Sequence, residues 1–299
     1  MRIVLTGVTG QLGQALIGPL STVGHVIPAD RSLLNLADPE ELSEALDRLA
    51  PDLIVNPAAY TAVDRAEDEQ ELAFAVNAKA PGVIAELAAR RQIPLVHFST
   101  DYVFDGKGEA PWREDSNTSP LSVYGESKLA GEEAIRAVGG SHLIVRTSWV
   151  YAAKGANFLS TMAQLARERT EIRVVADQVG APTSASVIAD GVMRLLAANL
   201  SDLPQIFARA EGIVNLTAAG ETTWHGFASH IVDGLRARGV PLAVRSIVPI
   251  RSEQYPTRAM RPRNSRLNLT RLWEVFEIST PSWNDALDIE LDRVARTKP

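Results

Sequence analysis

Tyr124-Gly125-Glu126-Ser127-Lys128 sets a phenol and an ammonium four residues apart. In a helix both would stand on one face, one turn from each other. Ketone reduction needs such a pair. A proton must reach the developing alkoxide as hydride arrives, and a cation beside a tyrosine lowers the reference pKa of about 10 that holds the proton back. Thr100 ends an apolar run 24 residues earlier, in Ser99-Thr100-Asp101. That is the strand edge where open α/β sheets bind ligands, and its hydroxyl could hydrogen-bond a substrate carbonyl. Plainer readings stand beside these: an exposed helix start for Tyr124 and Lys128, and a strand-end cap for Thr100.

A second group of residues speaks for a dinucleotide. Gly7-Val8-Thr9-Gly10-Gln11-Leu12-Gly13 follows the first apolar run and opens a helical pattern. Gly7 can turn at positive φ and Gly13 lets the helix lie close on the strand, with Gly10 between them facing a pyrophosphate. The first N–H groups of that helix and its dipole favour an anion. The G-x-x-G-x-x-G spacing indicates the short-chain dehydrogenase/reductase variant; the alternative is a tight turn without ligand. Asp30 closes the second apolar run, 17 residues beyond Gly13, where a carboxylate would accept from the adenosine ribose hydroxyls. Arg31 beside it could instead receive a 2′-phosphate, so NADPH and NADH both stay open.

The elements that must hold these groups alternate in type. Arg2–Leu5, His25–Ala29, Leu53–Asn56, Leu95–Ser99 and His142–Arg146 read as strands, with helical patterns at Glu40–Leu49, Val76–Arg91 and Lys128–Val138 between them. Ile172–Ala176 and Ile213–Leu216 add strands, and Val187–Asn199 a helix. Continuously apolar strands separated by helices specify an α/β fold, a Rossmann-like doubly wound parallel sheet covered on both faces. From about Gly220 the texture changes. Trp224–Arg238 reads as a helix ended by Gly239 and Pro241, followed by a proline-broken tail. The expected division is a dinucleotide-binding domain over 1–150, with 172–178 and 187–217 returning to it. A smaller, mainly C-terminal substrate-binding lobe then comprises 218–299 with 151–171 and 179–186.

Composition removes other classes. The 299 residues are 45% apolar and 22% charged, with a net charge of −6 and no Cys. Thiolate chemistry and Cys-ligated zinc are excluded, and no basic field favours nucleic acid or an anionic membrane. His225 and His230 are off a shared helical face, and no HExxH, G-x-S-x-G or G-x-x-x-x-G-K-[ST] occurs. The carboxylates of Asp64, Glu67, Asp68, Glu69 and Glu71 read as a solvated helix start. No uncharged apolar run approaches the roughly 18–20 residues of a membrane span, and the first residues lack the apolar stretch of a signal peptide. A soluble, cytoplasmic protein is expected.

Six segments together resemble the dTDP-4-dehydrorhamnose reductase family, an extended branch of the short-chain dehydrogenase/reductases, over nearly the whole chain. They are the glycine loop, Asn56-Pro57-Ala58-Ala59-Tyr60-Thr61-Ala62-Val63-Asp64, Ser99-Thr100-Asp101-Tyr102-Val103-Phe104-Asp105-Gly106, Val123 through Glu132, Arg146-Thr147-Ser148-Trp149-Val150-Tyr151, and Arg261-Pro262-Arg263-Asn264-Ser265-Arg266-Leu267. The first and fourth occur across the superfamily; the others are specific to this branch.

The resemblance implies roles. Gly10, Gln11 and Leu12 match the pyrophosphate loop, Asp30 the adenosine ribose contact, and Asn35 and Leu36 lie near the adenine. Ala59, Tyr60, Thr61 and Phe98 match further cofactor neighbours. Tyr124 matches the proton donor, Lys128 its ribose-binding partner and Thr100 the substrate-polarising hydroxyl, while Thr100, Asp101 and Trp149 match contacts to the sugar nucleotide. Independently, an indole suits a sugar face, though Trp149 could equally pack in a core. Between Glu253 and Glu274 lie five arginines and no acid. Of these, Arg261 and Arg266 are candidates for a substrate diphosphate, against a solvated basic loop as the alternative.

Ala15 and Ser186 stand where some members carry carboxylates for a metal-bridged dimer. A metal requirement is therefore doubtful, no metal ligand is assigned, and a monomer is expected. Pro57 and Ala152-Ala153 also depart from the pattern. The implied activity is NADPH- or NADH-dependent reduction of the C4 ketone of dTDP-4-dehydro-6-deoxy-L-mannose to dTDP-L-rhamnose. That is the last step of activated L-rhamnose supply for bacterial surface polysaccharide. Alternatives are another nucleotide-sugar reductase or epimerase, and a non-catalytic NADP-binding regulatory subunit.

Overall fold

The computed structural model describes residues 1–296. Six strands, β1 (Arg2–Leu5), β2 (His25–Pro28), β3 (Leu53–Asn56), β4 (Leu95–Thr100), β5 (His142–Thr147) and β6 (Ile213–Asn215), form one parallel sheet in the order β6-β5-β4-β3-β1-β2. The chain leaves β1 to one side for β2, then crosses back to the other side for β3. That reversal opens a crevice at the carboxyl ends of β1 and β3.

Both faces of the sheet are covered, so the strands lack polar alternation. Successive side chains feed opposite cores. Ile3, Leu5, Leu53, Val55, Val96 and Phe98 pack with the helices Gln11–Leu20 and Ala185–Asn199. Val4, Ile54, Leu95 and Ile144 pack with Ala80–Arg91 and Pro39–Arg48 on the other face. The helical run Gln70–Arg91 has the length and composition of a membrane span, yet more than half of its apolar window is buried inside the fold. Its apolar character serves this second core.

A third core lies away from the sheet. Helices Phe158–Glu168, Trp224–Ala237 and Trp283–Arg296 enclose Leu159, Phe227, Ile231, Leu287 and Leu291. The segment expected to return to the main sheet at 172–178 joins this region instead. Glu171–Val175 pairs in parallel with Ser246–Ile250 in a separate two-stranded sheet. The physical reason is visible in the segment itself: Glu171 and Arg173 are exposed while Ile172 and Val174 are buried. Such a strand has only one face to cover and does not fit a sheet buried on both.

Candidate active site

Ser122 begins the helix Val123–Val138 by accepting the Gly125 N–H at 3.2 Å, which places Tyr124 in the first turn and Lys128 in the next. The apolar pattern marks this helix only from Lys128, because Gly125 and Ser127 are buried without being apolar. Tyr124 meets the edge of Tyr102, with ring centroids 5.5 Å apart. Burial pushes the Tyr124 phenol up to about 12, against a Thr100 hydrogen bond that pulls it down. The expected lowering by Lys128 is therefore not realised here. The Lys128 amino group is turned to β4, where it donates to the Phe98 carbonyl at 2.7 Å and lies 3.3 Å from His97 Nε2. Burial lowers Lys128 to about 8.

Thr100 fills two roles. Its hydroxyl accepts from Tyr102 N–H at 3.2 Å, capping the turn Asp101–Val103, and donates to Asp101 Oδ1 at 3.1 Å. The cap reading and the site reading are thus both present. Asp101 is 1% exposed and its Oδ2 has no protein partner; nor do the hydroxyls of Ser99 and Thr147. Buried polar atoms left open at one end of a cleft suit a ligand rich in hydroxyls. Burial pushes the Asp101 carboxyl up to about 6, against hydrogen bonds from Ser265 and Thr100.

That position carries a cost with a definite sign. A carboxyl raised from its unfolded value of 3.8 to about 6 holds its proton more tightly when folded. Stability from this group is present below pH 3.8 and is lost as pH rises through 6. Asp101→Asn should therefore raise Tm at neutral pH, by up to about 3 kcal/mol in stability, and change little at about pH 4. Thermal unfolding at both pH values checks this. A neutral-pH Tm equal to or below that of the parent would contradict it.

At the other end, Gly7 has φ +59°, and a Cβ on Gly13 would stand 2.1 Å from the Gly7 carbonyl oxygen. The helix therefore lies in close contact with the turn that follows β1. The helix Gln11–Leu20 starts at Gly10 with no side-chain cap and no acid in its first turn. Its first N–H groups are left for an anion, as a pyrophosphate requires. Asp30 Oδ1 accepts from Ser32 Oγ at 2.6 Å and from the Ser32 and Leu33 N–H groups, with the Ser32 hydroxyl contributing most to a lowered carboxyl pKa.

One cleft of about 760 Å³ joins the two ends. Its wall includes Gly7, Gly10, Gln11, Leu12 and Gly13, then Asp30, Arg31 and Leu36, then Ala59, Thr61 and Phe98. Thr100, Asp101, Tyr124, Lys128 and Trp149 close the far end. Four expected residues lie off this wall. The Asn35 side chain accepts from Ala37 N–H, and Tyr60 donates its hydroxyl to Glu69 at 2.6 Å. Arg261 is paired with Asp64 at 2.7 Å, and Arg266 with Glu221 at 2.9 Å and with the Asn264 side chain. Guanidinium groups so engaged need not seek an anion, and the run read as free of acids finds its acids elsewhere in the chain.

The model of the family described as RmlD substrate binding domain matches residues 1–296. The chain belongs to this family. It is 46% identical over 291 residues to the dTDP-4-dehydrorhamnose reductase of Burkholderia thailandensis, covering 97% of each chain. Against a crystal structure of the dTDP-4-dehydrorhamnose reductase of Clostridium acetobutylicum the TM-score is 0.88 at 32% identity, over 98% of this chain and 99% of that one. A Bacillus anthracis dTDP-4-dehydrorhamnose reductase solved in complex with NADP gives the same TM-score, identity and coverage.

In this family member the region away from the sheet supplies cleft residues that motif spacing did not reveal. Trp149 has φ +48°, a backbone region costly for a bulky residue, and its ring stacks on Trp224 with centroids 3.6 Å apart. Trp149 is thus a cleft wall rather than a core residue, and Trp224 backs it. Asn157 caps its own helix through Ser160 and donates to Gln11 Oε1 at 2.8 Å, tying that region to the glycine loop. The only sequence signal for Asn157 was its capping pattern; Trp224 had none beyond being an aromatic at a helix start. Ser186 donates to Glu290 at 2.8 Å, and Ala15 packs on the first core. Among the described residues no group of three His, Cys, Asp or Glu is placed to hold a metal ion.

Proposed function

We infer that the chain reduces the C4 ketone of dTDP-4-dehydro-6-deoxy-β-L-mannose to give dTDP-β-L-rhamnose. The observation that carries this reading is the gathering of Thr100, Tyr124 and Lys128 at one end of a cleft whose other end is an uncapped glycine-loop helix. A reduced nicotinamide dinucleotide supplies the hydride when bound. The open first turn from Gly10 to Gly13 receives its pyrophosphate, and Asp30 its adenosine ribose. Residues 1–150 and 187–217 serve the dinucleotide, and the remainder, whose Trp224 stacks on Trp149 at the cleft, serves the sugar nucleotide.

Each side chain has a defined task. Tyr124 is held protonated at neutral pH by burial and gives its phenolic proton to the carbonyl oxygen, whose developing alkoxide is the stronger base. Thr100 and Asp101 act as a pair. Asp101 fixes the Thr100 hydroxyl and offers Oδ2 to a sugar hydroxyl. Lys128, whose amino group is bonded to the Phe98 carbonyl rather than to the phenol, keeps a positive charge at this end of the cleft and would hold the nicotinamide ribose. The reading also carries a monomeric, cytoplasmic enzyme, with Ala15 and Ser186 supporting the absence of a metal bridge.

The ionised Asp30 carboxylate disfavours a 2′-phosphate and suits free ribose hydroxyls, so NADH is the expected preferred donor. Asp30→Asn should move the ratio of kcat/KM for NADH over NADPH about tenfold toward NADPH, on the order of 1.4 kcal/mol. Arg31→Ala should move it the other way. Steady-state kinetics with both donors check this, and an unmoved ratio in both variants would contradict it. The reaction itself is tested by generating the ketosugar in situ and separating the products. dTDP-rhamnose formed in step with cofactor oxidation supports the reading, and a different sugar epimer overturns it.

A further inference from the structure

Thr6, Asn56, His97 and Lys128 are each at most 2% exposed and form an unbroken polar file from the end of β1 through β3 and β4 to the Tyr124 helix. Thr6 Oγ1 lies 2.5 Å from Asn56 Oδ1, Asn56 Nδ2 3.1 Å from His97 Nδ1, and His97 Nε2 3.3 Å from Lys128 Nζ. The file is anchored at both ends. Ala58 N–H donates to Thr6 Oγ1 at 3.3 Å, and Lys128 Nζ donates to the Phe98 carbonyl. An imidazole at the centre of a parallel sheet is costly unless both ring nitrogens are partnered. No step of the reduction as described uses it.

Counting donors constrains what this file can do. His97 is held well below its ordinary pKa by burial and by the neighbouring Lys128 charge, so its ring is neutral, with one donor and one acceptor. A charged Lys128 has only donors. Nε2 must then accept, Nδ1 must carry the proton, and Asn56 must turn its oxygen to Nδ1 and its NH2 to Thr6. A neutral Lys128 amine can accept, and every bond then runs the other way. Thr6 donates to Asn56 Oδ1, Asn56 Nδ2 donates to Nδ1, and Nε2–H donates to the amine. The second polarity is the one in which the Asn56 amide stands here. A half-turn of that amide exchanges its oxygen and nitrogen within the same volume, and a hydroxyl serves either role, so both polarities fit one set of heavy atoms.

We propose that Thr6, Asn56 and His97 form a relay whose polarity reverses with the charge of Lys128, so that His97 is a positioning residue that changes tautomer as the lysine gains or loses its proton. The other titratable and charged groups near Lys128 are Tyr124 one turn back, Asp101 beside Tyr124, and Glu132 one turn ahead, which favours the ammonium and is itself held by Arg146. The relay begins at the residue preceding Gly7. It therefore links the charge at the reacting end of the cleft to the start of the pyrophosphate loop through side chains alone.

The kinetic consequence rests on the reductase reading; the tautomer does not. The test is nitrogen NMR of the full chain labelled with 15N-histidine, between about pH 5.5 and about pH 10, with the His97 signals assigned by their loss in His97→Gln. The expected result is an Nδ1–H tautomer at low pH that becomes Nε2–H around pH 8, the range in which Lys128 titrates, with no imidazolium. A single tautomer throughout, or an imidazolium, overturns the proposal. In turnover, His97→Leu removes the acceptor for the ammonium and should move the basic limb of the kcat profile down by about one pH unit. His97→Gln, which keeps an acceptor, should leave it within a few tenths. Equal displacement in both folded variants, or none in either, also overturns it. A tautomer switch in a protein that binds the dinucleotide but never turns over would sink the reductase reading and leave the relay standing.

Discussion

Tyr124→Phe is expected to lower kcat by about a thousandfold while leaving dinucleotide affinity within a few fold, since a positioned general acid contributes roughly 10²–10⁴ in rate. Phenylalanine keeps the ring, the edge contact with Tyr102 and the burial, and removes one hydroxyl. The neighbouring Thr100 hydroxyl already donates to Asp101, whose carboxyl is largely ionised at neutral pH and so has no proton to pass through it. Burial keeps Tyr124 protonated across the working range, so the parent should show no basic limb from this residue below about pH 12, and a limb near pH 6 belongs to Asp101. Stopped-flow binding of reduced dinucleotide alongside steady-state turnover separates the two effects. Full turnover in the variant, or a loss explained by failed cofactor binding, would remove Tyr124 as the proton donor.

The largest effect on stability is expected at Glu132, on the same helix. Its carboxylate takes two hydrogen bonds from Arg146 of β5, at 2.9 and 2.6 Å, and the two side chains are 1% and 2% exposed. The guanidinium also donates to the Glu114 carbonyl and lies 5.0 Å from the centre of the Phe104 ring. Replacing Glu132 by Leu leaves a buried cation unpaired, at a cost of about 3–5 kcal/mol. Calorimetry should then show Tm lower by about 10 °C. Adding Arg146→Met should recover much of that loss, because two apolar side chains no longer strand a charge. A single variant as stable as the parent would show that the pair contributes nothing. The Glu132 charge also favours the Lys128 ammonium, so the single variant should move the basic limb of turnover to lower pH.

The parallel sheet was legible because its strands feed two cores and carry runs such as Ile3-Val4-Leu5, Leu53-Ile54-Val55 and Leu143-Ile144-Val145. The glycine loop was legible because the helix touches the turn after β1 at Gly13, where only a hydrogen fits. Tyr124 and Lys128 showed by their spacing together with the place of Tyr124, 24 residues beyond the strand end at Thr100. What spacing could not convey was direction. Lys128 turns to β4 rather than to the phenol, and Arg261 turns to Asp64, 197 residues away in the chain. Both depend on contacts set by the tertiary fold. The strand expected at Ile172–Ala176 lies outside the main sheet because its alternation of exposed and buried residues gives it one face to cover, a pattern its apolar positions alone do not convey. Trp224 gained its place through a stack with a residue 75 positions earlier, which no local pattern encodes.

The central claim is hydride delivery to C4 with the proton supplied by Tyr124. Its most direct test uses reduced nicotinamide dinucleotide deuterated at the transferable position and the 4-dehydro sugar nucleotide, with the product examined by proton NMR. One deuterium at sugar C4 for each cofactor oxidised, on a product of L-rhamno configuration, is the expected result. Deuterium at another carbon, cofactor oxidation without deuterium in the sugar, or no turnover by a protein that binds the dinucleotide would contradict it.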